Sequence, residues 1–250
     1  MKLGVLIAIL LIFSCVACGQ NPGVVNADRP SFSSSTHVVP KGHVQIEGGT
    51  GTRRYGDTTG YDIGELLVRT GLSDHIEFRL GVPSYKVSET AGVRKTGADD
   101  LSLEGKFYIQ TRDRLAYGFL ANFVLPTGTH AVAEHKFQPG GTFVSDLTVT
   151  KVVNITSNVG YSWASKDGDR YHYTFAASTI NIALSQDVNL FTEFYLFHQS
   201  GGGVQKYGAS GLEWTVKNKT AFDVSAGFGL PGNHAHGPDR YFSIGISRLF

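Results

Sequence analysis

The chain has two cysteines in 250 residues, and both, Cys15 and Cys18, fall in its first twenty positions. Beyond them no disulfide and no cysteine-based zinc site can form. Methionine occurs once, at the start. Charge is scarce: Asp, Glu, Lys and Arg make up 17% of the residues, against about 25% in an ordinary soluble domain. The formal net charge is +1, so no basic excess exists to gather nucleic acid. After Gln20 there is no long apolar run. That removes the membrane-spanning helix, which needs about 20 such residues. It does not remove a membrane barrel, whose strands need only about 9–11 residues, apolar at alternate positions.

The apolar run that does exist comes first. Lys2 supplies a positive charge, and Leu3 to Ala17 is almost free of polar side chains. This is the pattern of a secretory signal peptide, with cleavage expected after Gly19, so that residues 1–19 are removed. Val16-Ala17 ahead of Cys18 leaves acylation of Cys18 as the alternative. Residues 20–39 form a polar leader with Asn21-Pro22-Gly23 and Ser33-Ser34-Ser35, expected to be extended. Residues 40–250 then suit one all-β domain.

From His43 onward apolar and polar residues alternate. Leu101, Leu103, Gly105, Phe107 and Ile109 form one face, and Ser102, Glu104, Lys106, Tyr108 and Gln110 the other. Successive strand residues point to opposite sides, so this is a two-faced strand. Ile76, Phe78, Leu80 and Val82 repeat the pattern, as do Phe222, Val224, Ala226, Phe228 and Leu230. In Tyr171 to Leu184 the parity slips, which predicts a bulge. Such runs give about twelve strands, within a range of ten to fourteen: 42–54, 61–72, 75–84, 99–111, 114–126, 141–151, 154–164, 170–185, 188–198, 203–217, 219–230 and 240–250. Short connections, such as Ser73-Asp74 and Gln186-Asp187, alternate with longer polar ones at Tyr55–Gly60, Tyr85–Ala98, Thr127–Gly140, Ser165–Asp169, Gln199–Gly202 and Pro231–Asp239. Alternating short and long connections on an even number of strands mark a closed antiparallel outer-membrane β-barrel. Closure is required because lipid offers backbone groups no partner. The competing reading is an exported soluble β-sandwich or lipocalin-like barrel.

Asp28-Arg29-Pro30-Ser31-Phe32, Val39 to Gly49, Glu65 to Asp74 followed by Glu77-Phe78-Arg79-Leu80-Gly81, and Asp100-Leu101-Ser102-Leu103-Glu104-Gly105-Lys106-Phe107 stand out as blocks. Together they resemble the outer-membrane transporter family named for the meta-pathway of phenol degradation. In the last block Glu104 stands where the family commonly has Gly. Leu125-Pro126-Thr127-Gly128 and Phe191-Thr192-Glu193-Phe194 also fit. The resemblance implies a barrel that lets small organic compounds cross the outer membrane. A last strand with Phe242, Ile244 and Ile246, ending in Phe250, resembles the signal read by the barrel-assembly machinery; Arg248 interrupts the stripe.

Catalytic motifs are lacking. Gly160-Tyr161-Ser162-Trp163 has no closing Gly for a nucleophile elbow, and Gly49-Thr50-Gly51 precedes no helix. His172 with Ser178, or His198 with Ser200, could pair only if the fold brought them together. His234-Ala235-His236 and His130 with His135 could share a metal, but exposed loop histidines are the commoner case, so no metal, no cofactor and no enzyme are expected. Tyr161, Trp163, Tyr171, Tyr173, Trp214 and Tyr241 fit aromatic girdles. The inward, lumen-lining set is expected to be Gln45, Glu47, Glu65, Arg69, Glu77, Arg79, Glu104, Lys106, Tyr108, Asn122, Asp146, Asn158, Glu193, Glu213 and Asp223. These would either line a pore or brace a narrow barrel. The expectation is a monomeric outer-membrane channel or transporter for small apolar or aromatic molecules, with outer-membrane lipids and the solute as partners. The alternative is a structural or adhesive barrel without transport.

Overall fold

The computed structural model describes residues 23–166, 169–232 and 239–250. The expected signal peptide and His234-Ala235-His236 lie outside these residues. Among them there is no helix, and fourteen strands follow in order: β1 Val44–Tyr55, β2 Thr58–Gly71, β3 Ile76–Val82, β4 Tyr85–Thr90, β5 Val93–Ala98, β6 Leu101–Arg112, β7 Leu115–Leu125, β8 Gln138–Thr148, β9 Val153–Lys166, β10 Asp169–Ala183, β11 Val188–Gln199, β12 Val204–Val216, β13 Thr220–Gly229 and β14 Arg240–Leu249.

Twelve of these strands close a barrel. Each pairs antiparallel with its neighbours, and β1 pairs with both β2 and β14, which seals the ring. β4 and β5 form a hairpin that continues the wall beyond β3 and β6. β2 pairs with β3 along its second half and with β4 along its first. Pro83, which has no N–H to give a ladder, stands in the break between β3 and β4. The expected twelve-stranded barrel is therefore the observed architecture.

Two of the long connections differ from expectation. Tyr55–Gly60 shrinks to a turn at Gly56-Asp57, and Tyr85–Ala98 is the β4–β5 hairpin with its tip at Ala91-Gly92. Their polar residues belong to strands that continue upward, so composition alone read them as loops. The bulge expected within Tyr171–Leu184 is absent, because β10 keeps an unbroken register with both β9 and β11. The bulges lie elsewhere. Gly64 drops out of the β1–β2 pairing between Glu65 and Ile63, and its φ of +71 is one that glycine adopts without steric cost. Ile109 drops out of the β6–β7 pairing in the same way.

The outer wall is apolar. Phe78, Phe107, Phe119, Phe143, Phe194, Val224 and Ile244 are all exposed. In water such a surface would be an aggregation hazard; in lipid it is the required face. Tyr161 and Trp163 lie outward at one end of the barrel and Trp214 at the other, as girdle residues do. Tyr171, Tyr173 and Tyr241 do not belong with them, because they fall on the inward parity of β10 and β14. The barrel end that carries β1's start and Phe250 is called the near end below, and the opposite one the far end.

Candidate functional site

The lumen is filled by the leader. It enters at the near end, where the Val25 N–H donates to the Asn218 carbonyl, and it returns to the same end, where the Gly42 N–H donates to the Gly71 carbonyl. Val25 and Val39, its two ends, pack with Ala221 and Leu249 in one small apolar clasp. Between them the chain climbs into the barrel and turns back.

The wall holds this segment mainly by its backbone. Glu47 accepts from the N–H groups of Asp28 and Arg29 at 3.2 Å. Glu193 accepts from Phe32 N–H at 2.8 Å and from Ser33 N–H at 2.7 Å. Asp146 accepts from Thr36 N–H, and Glu77 from Val39 N–H, each at 2.6 Å. Asn158 accepts from Ser34 N–H and donates to its carbonyl. Gln45 does the same at Asn26. An extended segment that pairs with no strand must satisfy its polar groups somewhere, and inward carboxylates and amides supply the acceptors here.

Two side chains of the leader add charge. The Asp28 carboxylate lies 2.7 Å from Lys106 Nζ, 3.1 Å from Arg79 and 3.8 Å from Arg69. Arg69 in turn bridges Glu47 at 2.6 Å and Glu77 at 2.7 Å, and Arg79 meets Glu104 at 3.1 Å. Lys106, Arg69, Glu47 and Glu77 are almost fully buried. A buried charge survives only when it is paired in this way. Burial works to raise the Asp28 carboxyl, but the charges of Lys106, Arg69 and Arg79 outweigh it and hold that carboxyl well below the ordinary carboxylate range. Arg29 reaches Glu65 at 2.8 Å, Asp223 at 3.5 Å and the Ser243 hydroxyl at 2.7 Å.

Six of the fifteen residues expected to face inward, Gln45, Glu47, Glu77, Asp146, Asn158 and Glu193, thus hydrogen-bond to the leader's backbone, and Arg69, Arg79, Lys106, Glu65 and Asp223 meet its charged side chains. Glu104 meets Arg79. Tyr108 borders a near-end hollow beside Thr36 and His37, Asn122 lies opposite Glu104 in register, and Glu213 lies opposite Asp223.

Sequence reasoning missed the aromatic part of the lumen. Phe32, at the top of the leader, stacks on Tyr195 at 4.9 Å and meets Phe175 and Phe197 edge-on at 5.2 and 5.1 Å. Tyr195 stacks in turn on Tyr207 at 5.0 Å. These inward rings produced the apparent parity slip in Tyr171–Leu184, since Tyr173 and Phe175 look like lipid-facing residues in a one-dimensional pattern. The Phe32 that follows Asp28-Arg29 in the polar leader was the available signal.

The leader divides the lumen in two. On the far side is a cavity of about 610 Å³, bounded by Arg29, Pro30 and Phe32, by Tyr173, Tyr195, Tyr207 and Tyr241, and by Arg53 and Asp62. The Arg53 guanidinium is paired with the Asp62 carboxylate. On the near side is a cavity of about 430 Å³ with a polar lining that includes Asp146, Asn154, Asn181 and Glu213. The serine–histidine pairs weighed from the sequence are not assembled. The His172 ring meets Tyr161, Ser178 meets Ser157, and the Ser200 hydroxyl accepts only the His172 backbone N–H. His130 and His135 stack at 3.7 Å, and among the described residues no three His, Cys, Asp or Glu side chains gather as metal ligands do.

A closed twelve-stranded antiparallel wall, apolar outside and polar within, is that of an outer-membrane β-barrel protein, and the chain resides in the bacterial outer membrane. Residues 27–245 match the family described as "Putative MetA-pathway of phenol degradation", and the chain belongs to it. Among solved structures it is similar to an outer membrane channel from Pseudomonas putida F1, at 11% identity with a TM-score of 0.68, over 90% of this chain and 100% of the other. It is also similar to the NanC porin, at 13% identity with a TM-score of 0.57 over 81% and 98% of the two chains. The KdgM porin in complex with disordered oligogalacturonate gives 8% identity and a TM-score of 0.57 over 83% and 99%. At these identities the likeness is one of fold. No curated protein matches the chain in sequence.

Proposed function

We propose that the chain is a passive channel for small apolar or aromatic molecules, closed at rest by its own leader. The observation that carries this reading is the far cavity, which has an aromatic wall and the leader as its floor. A flat apolar solute can leave water for the faces of Tyr195, Tyr207 and Tyr241, where ring stacking favours it. It then meets Phe32 and the leader. Passage requires that segment to shift, or the solute to leave sideways through the wall. The similarity to channel and porin structures supports the same reading. The fifteen inward residues act in it as the seat of the gate and, once the gate moves, as the lining of the path. The near end faces the periplasm, because both ends of the barrel domain and the shortest turns lie there. An epitope inserted at Thr129 is then reachable on intact cells and one at Asp113 is not; the reverse pattern overturns this orientation. The outward Phe242, Ile244 and Ile246 with Phe250 form the segment offered to the assembly machinery.

A lock tests the gate. The Ser33 and Thr179 hydroxyls are 2.9 Å apart, so a Ser33→Cys, Thr179→Cys pair can close a bond between leader and wall. Liposomes carrying this variant should pass an uncharged aromatic alcohol when reduced and not when oxidised. Equal flux in both states refutes gating. No flux in either state, nor with the unmodified chain, favours a structural barrel, a reading that the buried ionic seat of the leader also supports.

A further inference from the structure

The two ends of the barrel differ in charge. At the near end Arg112, Arg114, Lys151, Lys217, Lys219 and Arg248 stand on or beside the turns, against Asp74, Asp113 and Asp187. Among the described residues, Arg112, Lys151, Lys217 and Lys219 meet no carboxylate within ion-pair distance. Arg114 spends one N–H on the Val149 carbonyl, and Arg248 lies over the Phe250 ring at 5.8 Å. Lys217 sits at φ +50 and Asn218 at φ +55, in the three-residue turn between Val216 and Thr220. At the far end acids and bases are interleaved. Lys86 pairs with Asp99 and Arg53 with Asp62, while Glu89, Glu134, Asp169 and Asp239 stand among Arg54, Arg94, Lys95 and Arg170.

The unpaired bases also have a defined depth. The outward apolar residues Ile109, Val152, Leu184, Trp214 and Phe250 are strongly exposed and mark the lipid boundary at this end. Arg112, Lys151 and Lys217 lie one to three residues beyond that boundary in sequence. Long basic side chains placed there reach the headgroup layer while their stems stay on apolar surface.

We propose that the near end is a collar that binds the headgroups of anionic phospholipids in the leaflet it meets. Which leaflet that is rests on the orientation proposed above; the preference for anionic lipid does not. The collar draws an annulus of phosphate around the mouth through which the leader enters, and so fixes the height of the barrel in the membrane at the end where the gate is anchored.

The test uses the full chain folded into phosphatidylcholine vesicles that contain a trace of spin-labelled phosphatidylglycerol or spin-labelled phosphatidylcholine. Electron spin resonance reads the fraction of label held at the protein. A basic residue near an anionic surface contributes a factor of about 5, so phosphatidylglycerol should be held about fivefold more strongly in 0.1 M salt. The preference should shrink toward none in 1 M salt, where the screening length is about 3 Å. Lys151→Gln, Lys217→Gln, Lys219→Gln together should abolish it, and Arg94→Gln, Lys95→Gln at the far end should leave it intact. A heat-shift on a gel confirms that each variant is folded. Equal retention of the two lipids overturns the collar, as does a preference that survives the triple change or vanishes with the far-end pair. Inorganic phosphate that displaces the lipid when chloride of equal ionic strength does not would show a free-anion site instead, and would also overturn it. The epitope experiment tests orientation separately, so either idea can fail alone.

Discussion

The lumen has two halves built on different physics. Around Asp28 the wall is ionic: Glu47, Arg69, Glu77, Arg79 and Lys106 interlock with the leader. Above Arg29 it is aromatic: Tyr195, Tyr207, Phe197 and Phe175 stack around Phe32 and leave a cavity open. The first half fixes a conformation, because a buried charge tolerates no vacancy. The second accepts replacement, because ring faces are satisfied by any flat apolar partner. The gate proposed above needs both, a seat that defines the closed state and a contact that a solute can compete for.

The largest effect should come from breaking the ionic half. Arg69→Ala leaves Glu47 and Glu77 buried without their shared partner, which costs about 3–5 kcal/mol. Thermal unfolding in detergent should fall markedly, and a protease should cut the leader. If the leader stays protected, the network does not hold it. Next comes the wall that carries both halves. Leu103→Arg, on the outward parity of β6, should cost about 2–4 kcal/mol near the bilayer midplane and impair assembly. Ser102→Arg, on the opposite face, should do so much less. A smaller loss belongs to Phe32→Ala, about 1–2 kcal/mol from its ring contacts. That variant should raise flux of the aromatic alcohol while lowering thermal stability less than Arg69→Ala does; a loss as large as that of Arg69→Ala would erase the distinction between the halves.

Acid sharpens the comparison further. The Asp28 carboxyl is held well below its ordinary range, so its contribution to seating is complete above the unfolded value of about 4. It is lost as pH falls from there toward the depressed folded value. Leader protection should therefore be flat from neutral pH to about 4 and decline only below that. Loss between pH 5 and 7 would contradict the assignment. The smallest effect is on ion selectivity. Inward acids outnumber inward bases, but most of these acids are engaged by N–H groups or bases, so any residual current should favour cations weakly and Glu104→Gln should reduce that preference. Reversal potentials under a salt gradient read it, and anion preference would count against it.

The barrel itself was legible in the sequence. Strict alternation in Leu101–Ile109 and Phe222–Leu230 fixed which face meets lipid, and the C-terminal strand fixed its end. Charges such as Glu77, Arg79 and Lys106 were legible as inward because nothing outside could neutralise them in lipid. The aromatic half was hidden, since Tyr173 or Tyr241 inside the lumen carries the same one-dimensional signature as a girdle residue outside it. The path of the leader was hidden for a different reason. It is held mainly through its own backbone N–H groups, and a residue's identity says nothing about what its backbone will donate to. The β4–β5 hairpin was lost because Tyr85–Ala98 has the polarity of a loop, and strands that rise beyond lipid on both faces have no apolar stripe to betray them.

The leader touches residues on β1, β2, β3, β6, β8, β9, β10, β11, β13 and β14. Those strands run the full circumference, and β1 meets β14 only when the ring shuts. The complete set of contacts therefore exists in no partly built sheet. A barrel one strand short would leave part of the buried charge without its partners, so the fully seated leader and the closed seam belong to one and the same state.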